Sequence, residues 1–438
     1  MTRKASLAVD RETPPSIART ALRLLPLQAV FRGGEALLPL VLAAWFGRSA
    51  ETDLFYLLAA YFVFAGAVLT GAFQDSSVVP VLIELRSTQP DRLPAVAGSL
   101  LGHTLAIGSA VGLVMGALAA AIVGVKSSTT ALGLELVLFM SMAMVASAVR
   151  AFYVGFLNAT GMFHAHPLGS GLGMAVTWIL LATGRHALGV RIVPLALLAG
   201  ELVAIASLSA VVSRGLRLRI VPNLQRPESV RRIFSLVGSE TAGSLITRIN
   251  PVIDQLMAGF AGVVGGGTLV RYANDVASLP TSVLQATVFP VLLTRLSHEA
   301  NHRTRFLATT RRTLLTVGAL LLILSVLVIA VRRPLISLLF LHGVMDRGGV
   351  DRIAEILPWA VIGAAPFGAL LVLARAHVAL QNSRIMPGMG LLNSTLNAGL
   401  NALLVGFMGL SGIALSTSIT YLVVAIVFWV RLPRSQPA

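Results

Sequence analysis

The 438-residue chain is 56% hydrophobic and only 12% charged, with a mean hydropathy of +0.84. Soluble domains carry roughly 25% charged residues, so this chain cannot cover a water-facing surface. It has no cysteine, hence no disulfide or thiolate chemistry, and its net charge of +16 is scattered between apolar runs, which argues against a nucleic-acid partner.

In chain order, the polar stretch MTRKASLAVDRETPPSIA (1–18) is expected outside the bilayer as a cytoplasmic tail. Twelve apolar segments follow, each near the length of about 20 residues that spans a bilayer as a helix. They are 21–46, 54–83, 95–124, 131–156, 166–184, 192–213, 233–260, 267–293, 309–331, 353–380, 386–408 and 410–430. The first is too long for the apolar region of a signal peptide. The expected fold is therefore an all-α polytopic membrane protein with about twelve transmembrane helices. Six spans (19–213) precede a basic connection (214–232), six follow it (233–431), and 432–438 form a short tail. With the N-terminus inside, most basic residues fall on the tails and cytoplasmic connections, most clearly in SRGLRLRIVPNLQRPESVRR (213–232) and RLSHEANHRTRFLATTRR (295–312), which places both termini in the cytoplasm.

The two sets of six echo one another. PVLIELRS (80–87) returns as PVLLTRLS (290–297), each at the end of the second span of its set. VRAFYVGFLNATG (149–161) returns more faintly as LARAHVALQNSRI (373–385), each between a fourth and a fifth span. Two echoes in one order imply a duplicated six-helix unit. Because six is even, both copies enter the membrane in the same direction, related by an axis along its normal, with a cavity between them.

GRSAETDLFYLLAAYF (47–62) with GAFQDSSVVPVL (71–82) resembles the first hairpin of the MviN/MurJ lipid II flippases, of the multidrug/oligosaccharidyl-lipid/polysaccharide exporter superfamily. RINPVIDQLMAGF, VRYANDVASLPTSVLQATVFPVLLTRLS, LARAHVALQNSRIMPGMGLLNSTLNAGLN and GLSGIALSTSIT carry the resemblance through the second half. It implies a bacterial inner-membrane transporter that acts as a monomer and flips a polyprenyl-diphosphate-linked saccharide, lipid II or an exopolysaccharide or O-antigen unit, for cell-wall or polysaccharide assembly. The family usually has fourteen spans where this sequence supplies twelve. Its first helix usually carries an Arg-Asp pair where Leu38 and Pro39 stand, and its eighth an Arg and a Glu in the stretch that here gives Asp275 and Ser278.

A charge at mid-bilayer costs roughly 2.5–3.5 kcal/mol on insertion scales, so such residues face a cavity or a partner. Arg32, beside Glu35, and Arg248 are the cations expected to replace the family's cavity charges, with Asp275 among the substrate-binding residues. The other reading of Arg32 is an i, i+3 pair with Glu35. Asp53 matches an acid of the family at an outer helix start, and either caps that helix or belongs to an outer gate. Asn393, Asn397 and Asn401 recur every four residues on one helix face. The resemblance implies that Asp254, Asn397, Asn401 and Thr417 hold sodium; the alternative is an interhelical hydrogen-bond ladder. No obligatory cofactor is expected. HAH (164–166) reads as solvated loop, GVVGGGT (262–268) as a turn, and GSGLG (169–173) and GMG (388–390) as places where helices approach closely. The connection VRRPLISLLFLHGVMDRGGVDR (331–352) is too short for a catalytic domain and is read as containing a half-buried helix, so an enzyme is not expected. The two competing readings are a cation-coupled multidrug exporter of the same superfamily and a transport-inactive scaffold.

Overall fold

The computed structural model describes residues 33–70, 78–124, 130–234, 249–380, 382 and 384–432, and all regular structure among them is helical. The N-terminal set comprises α1 (Gly33–Phe46), α2 (Ala50–Thr70), α3 (Val78–Thr88), α4 (Leu93–Gly124), α5 (Thr130–Ala159), α6 (Ala165–Leu188) and α7 (Ile192–Ala210). An extended strap (216–227) and the start of α8 (228–234) lead toward the second set. That set comprises α9 (Asn250–Phe260), α10 (Gly266–Glu299), α11 (Arg303–Ala330), α12 (Arg332–Phe340), α13 (Arg347–Val361), α14 (Ala364–Ala379), α15 (Ile385–Met408) and α16 (Leu410–Val430).

Each of the twelve apolar segments contains described helix. Eight stretches are long and apolar enough to cross a membrane among the described residues, one of them α6 and α7 run together through a short 3-10 turn. Helix α10 has 34 residues, ample length to cross, and is not among those eight. The tenth segment is broken into α13 and α14 at Ile362–Gly363, just after Pro358, which cannot donate to the helical ladder. Helix α12 is the half-buried helix expected in the 331–352 connection, with Ile336 and Phe340 inward and Leu338 exposed.

The duplication appears as repeated neighbours. In the first set α2 packs on α5, α4 on α5, α5 on α7 and α6 on α7. In the second, α10 packs on α14, α11 on α14, α14 on α16 and α15 on α16. Gly189 between α6 and α7 and Gly409 between α15 and α16 even share a backbone conformation, φ 56° with ψ −139° and −135°. Positive φ is open to glycine without steric cost, and both turns use it.

The two sets meet at one end. The side bearing the α1–α2 turn is the one that the basic residues assign to the outside, and "outer" below follows that assignment. One apolar core runs through both sets at the outer ends, joining Leu42, Phe55, Leu58 and Tyr56 to Leu269, Tyr272, Phe340 and Ile353. At the inner ends the cores are separate. Leu82, Phe152, Phe156 and Ile233 form one in the first set, and Phe289, Leu292, Leu296 and Phe306 form another in the second. Among the described residues, a shared outer core with separate inner cores fits two bundles arranged as a V that opens inward.

The connection between the sets is built into the first one. Leu216, Leu218 and Ile220 turn inward while Arg217 and Arg219 turn out, the period of two of an extended chain. Asn223 N donates to Gly98 O at 3.0 Å, and Ser99 Oγ donates to Gln225 O. A side chain at Gly98 or Gly102 would strike the strap's backbone, so these glycines are the groove that receives it. Arg232 pairs with Glu84 at 3.1 Å.

Small residues also set the α6–α7 contact, where Gly173 lies against Gly200 with no room for a Cβ on either. Close backbone approach through small residues is a common way for membrane helices to gain packing contact. Gly171 in the same GSGLG run, and Gly388 in GMG, face open space. Gly173→Val is therefore expected to lower the unfolding temperature of the detergent-purified protein, overpacking costing roughly 1–3 kcal/mol, whereas Gly171→Val leaves it near the parent value. Equal melting of the two variants would contradict the contact.

Candidate functional site

Three layers close the V at its outer end. Outermost, Arg48 between α1 and α2 makes a two-pronged ion pair with Asp346, Nε to Oδ1 and Nη2 to Oδ2, both at 3.0 Å. Beside it Val344 N donates to Ala44 O at 2.8 Å, and a Cβ on Gly343 would strike that same carbonyl. Asp346 also accepts from Gly349 N at 3.2 Å as the cap of α13.

The second layer is Asp53. The first turn of its own helix is closed without it, because Ser49 and Thr52 exchange hydrogen bonds, Ser49 N to Thr52 Oγ1 at 2.7 Å and Thr52 N to Ser49 Oγ at 3.1 Å. Asp53 Oδ1 instead accepts from Thr268 N and Thr268 Oγ1, both at 2.8 Å. It thus satisfies orphan donors at the start of α10, in the opposite bundle, where the helix dipole favours an anion. The self-capping reading of Asp53 does not hold; the residue ties the two sets together at their outer ends. The predicted turn at 262–268 delivers α10 to it, with Gly262 and Gly265 at φ +70° and +78°.

The third layer is aromatic. Tyr56 of α2 donates to Tyr272 of α10 at 3.2 Å, their rings meet edge to face at 5.6 Å, and Tyr272 stacks on Phe340. Beside this seal, Arg271, the residue before Tyr272 on α10, pairs with Asp275 one helical turn further inward, at 3.0 Å. Neither is closed off, the side chains being 43% and 27% exposed. Asp275 was expected here; Arg271 was not. The signal was present as an Arg-Asp pair four residues apart in RYAND, the spacing that stacks two side chains on one helix face.

The remaining expected substrate residues are divided. Arg32 and Arg248 lie outside the described residues. Glu35 is on the exposed side of α1. A second intramembrane ion pair escaped the sequence reading: Arg150 of α5 and Glu201 of α7, at 2.6 Å. Arg375, one position out of register with Arg150 in the 149–161/373–385 echo, lies over the ring of Phe289, 6.0 Å from the centroid. A separate cavity of about 480 Å³ lies on the outer side, lined by Trp45, Glu51, Arg185, His186 and Val344 among others, and holds neither Arg271 nor Asp275.

The four residues expected around a cation do come together. Asp254 Oδ1 accepts from Asn397 Nδ2 at 2.9 Å and from Asn401 Nδ2 at 2.8 Å. Thr417 Oγ1 lies 3.4 Å from Asp254 Oδ2 and 3.3 Å from Asn397 Oδ1. Ser416, which the sequence reading passed over, donates to Asn397 Oδ1 at 3.0 Å. Asp254 is only 6% exposed, and no arginine or lysine pairs with it among the described residues. The buried Asn401 Oδ1 has no partner. Chemically the set fits a small cation that prefers oxygen: one carboxylate, a hydroxyl, and two amides whose terminal rotation brings Oδ1 where Nδ2 now stands.

The same set is not required for packing. Counting back from the matched glycines Gly409 and Gly189, Asn393, Asn397 and Asn401 stand where α6 has Gly173, Thr177 and Leu181, all buried. One copy of the unit packs this seam without an amide ladder; the other fills it with amides.

The profile described as lipid II flippase MurJ matches residues 42–438. The chain belongs to the MurJ family. Among curated relatives, a probable lipid II flippase MurJ of Thermotoga maritima is 27% identical over 192 residues, 43% of this chain and 39% of that one, so the matched region spans well under half of the relative. Among solved structures, lipid II flippase MurJ in an inward closed conformation matches with a TM-score of 0.75 at 18% identity, covering 93% of this chain and 87% of that one. An inward-facing multidrug resistance MATE transporter of the MOP superfamily matches with a TM-score of 0.72 at 13% identity, covering 92% and 93%. At these identities the structural likenesses establish the fold, and the family profile establishes the family.

The outer closure should be separable by chemistry. Ala44→Cys with Val344→Cys, the only cysteines in such a variant, are expected to cross-link on oxidation and stop transport, with recovery on reduction. The hydrogen bonds from Arg48 hold the Asp346 carboxyl below the usual range. A depressed carboxylate contributes stability above its unfolded value that is lost as pH falls through the folded one. The loss of unfolding temperature caused by Asp346→Ala should therefore persist at neutral pH and vanish only on acidification below about pH 4. A difference that already disappears between pH 8 and 6 would contradict the role given to this pair.

Proposed function

We propose that this chain flips a polyprenyl-diphosphate-linked saccharide from the cytoplasmic to the outer leaflet by alternating access. In this reading it works as a monomer in the bacterial inner membrane with both termini in the cytoplasm. The observation that carries the reading is Arg271, held with Asp275 beside the aromatic seal where the two bundles meet. Diphosphate oxygens are best matched by the planar fork of a guanidinium, which can offer two parallel N–H donors. Asp275 keeps the fork oriented when no cargo is bound, and the diphosphate competes for the same donors. Arg32 and Arg248 are proposed to add to this grip, with Glu35 beside Arg32. Opening outward then requires breaking Arg48–Asp346, Asp53–Thr268 and Tyr56–Tyr272 together, so Asp53 serves as part of the outer gate.

Sodium at Asp254, Asn397, Asn401 and Thr417 is proposed as the coupling ion. The carboxylate would offset the ion's charge where water is scarce, and the three neutral side chains would supply further oxygens. The exporter reading shares such a cation site, so it is Arg271 that favours the lipid-linked saccharide.

In proteoliposomes carrying a polyprenyl-diphosphate saccharide, Arg271→Ala is expected to slow flipping by about tenfold or more, one strong charge-assisted contact being lost. Arg271→Lys, which keeps the charge and loses the fork, should fall between the two. Full activity of Arg271→Ala, or export of amphipathic cations by the parent protein without any flipping, would favour the exporter. Asp254→Asn should abolish any dependence of flipping on a sodium gradient while the protein still inserts; unchanged sodium dependence would remove the ion from this site.

A further inference from the structure

Several buried oxygens in the second bundle accept no hydrogen bond: Asn250 Oδ1, Gln255 Oε1, Asn393 Oδ1, Asn401 Oδ1 and Thr420 Oγ1. Asn250, Asn393 and Thr420 are 6%, 5% and 0% exposed, and an unsatisfied buried polar atom is costly. Helix register places these three at a common level. Helices α9 and α15 run the same way through the membrane, and Asp254 touches both Asn397 and Asn401. Asn250 and Asn393 each stand four residues before their contacting partner, about 6 Å nearer the inner side at 1.5 Å per residue. Helix α16 runs the opposite way, so Thr420, three residues after Thr417, descends to the same level.

The duplicated unit sharpens the juxtaposition. Counted from Gly189 and Gly409, Asn393 stands where α6 has Gly173, and Thr420 stands where α7 has Gly200. Those two glycines touch, backbone to backbone. Asn393 and Thr420 therefore occupy facing positions across the α15–α16 seam, where the other copy has a dry glycine contact. In place of two glycines the second bundle carries two buried oxygens that nothing satisfies, directly beneath a buried carboxylate.

We propose that Asn250, Asn393 and Thr420 form an inner cation station, one helical turn to the cytoplasmic side of Asp254, through which a monovalent cation reaches and leaves that carboxylate. The station rests on the reading of Asp254 as a cation ligand. It offers neutral oxygens only, which suits a place of passage: strong enough to replace part of a hydration shell, too weak to hold the ion against Asp254. Conduction through a membrane protein needs this balance at successive sites.

The test is binding and release of radiolabelled sodium by the purified full-length chain. Asp254→Asn is expected to abolish binding. Asn393→Leu combined with Thr420→Val, near in size but without the oxygens, should leave equilibrium affinity within about threefold and slow exchange by about tenfold, as expected for a barrier raised by removing one intermediate site. Asn393→Ser, which restores an oxygen, should recover part of the rate. Thr420→Val alone, a smaller change, reads in the same direction if the double variant folds poorly. Parent-like exchange in the folded double or Thr420→Val variant, with Asp254→Asn inactive in binding, overturns the station and leaves the Asp254 site standing. Sodium binding that survives Asp254→Asn, or a parent protein that binds no sodium, overturns both.

Discussion

The carboxylate of Asp53 closes the buried first turn of a helix that belongs to the other bundle. A helix start carries unsatisfied N–H groups and the positive end of the backbone dipole, and near the membrane water is a poor substitute for a partner. By taking that partner from across the interface, α10 makes its own integrity depend on the two bundles being together at this end. The tyrosine pair and the shared apolar core lie just inside it, and the Arg48–Asp346 pair just outside. The separation of the inner cores, the inward-opening V and the placement of Arg271 where the bundles meet all follow from a seal confined to one end. No symmetric tie of this kind is needed at the inner end, because the strap and α8 are already fastened to the first bundle.

Much of this was legible before any coordinates. Twelve apolar segments, the echo of PVLIELRS and PVLLTRLS, and the half-buried helix after residue 331 follow from hydropathy and repetition, which are properties of the chain itself. The convergence of Asp254, Asn397, Asn401 and Thr417 was also anticipated, since amides four residues apart share a face and a family resemblance named their neighbours. What could not be read was pairing across elements distant in sequence. Asp53 looks like a helix cap because it follows a turn; only the position of Thr268 reveals which helix it caps. Arg271 was passed over because the resemblance drew attention to the positions four and seven residues beyond it, although its spacing from Asp275 was visible. Arg150 and Glu201 are 51 residues apart and belong to two apolar spans whose packing no local pattern announces.

The two copies of the six-helix unit have kept their geometry and parted in chemistry. Matching helices have matching neighbours, and a glycine with the same backbone angles turns the chain between the last two helices of each. Along the seam that follows, the first copy presents Gly173, Thr177, Leu181 and Gly200, and the second presents Asn393, Asn397, Asn401 and Thr420. Burying amides and a carboxylate in a membrane is unfavourable unless each finds a partner, so a seam that packs well without them would not be expected to acquire them for stability.

The glycine pair Gly173–Gly200 thus has a meaning beyond packing. A duplicated protein contains, within one chain, both the scaffold and a version of that scaffold without the added chemistry. The first bundle's seam is locked backbone to backbone, and the second bundle's seam is spaced by side chains, the half in which the proposed cation would be held. Any energy taken from an ion would then enter the machine on one side only, and the symmetry of the fold would be the means by which an asymmetric input becomes a rotation of two equal bodies.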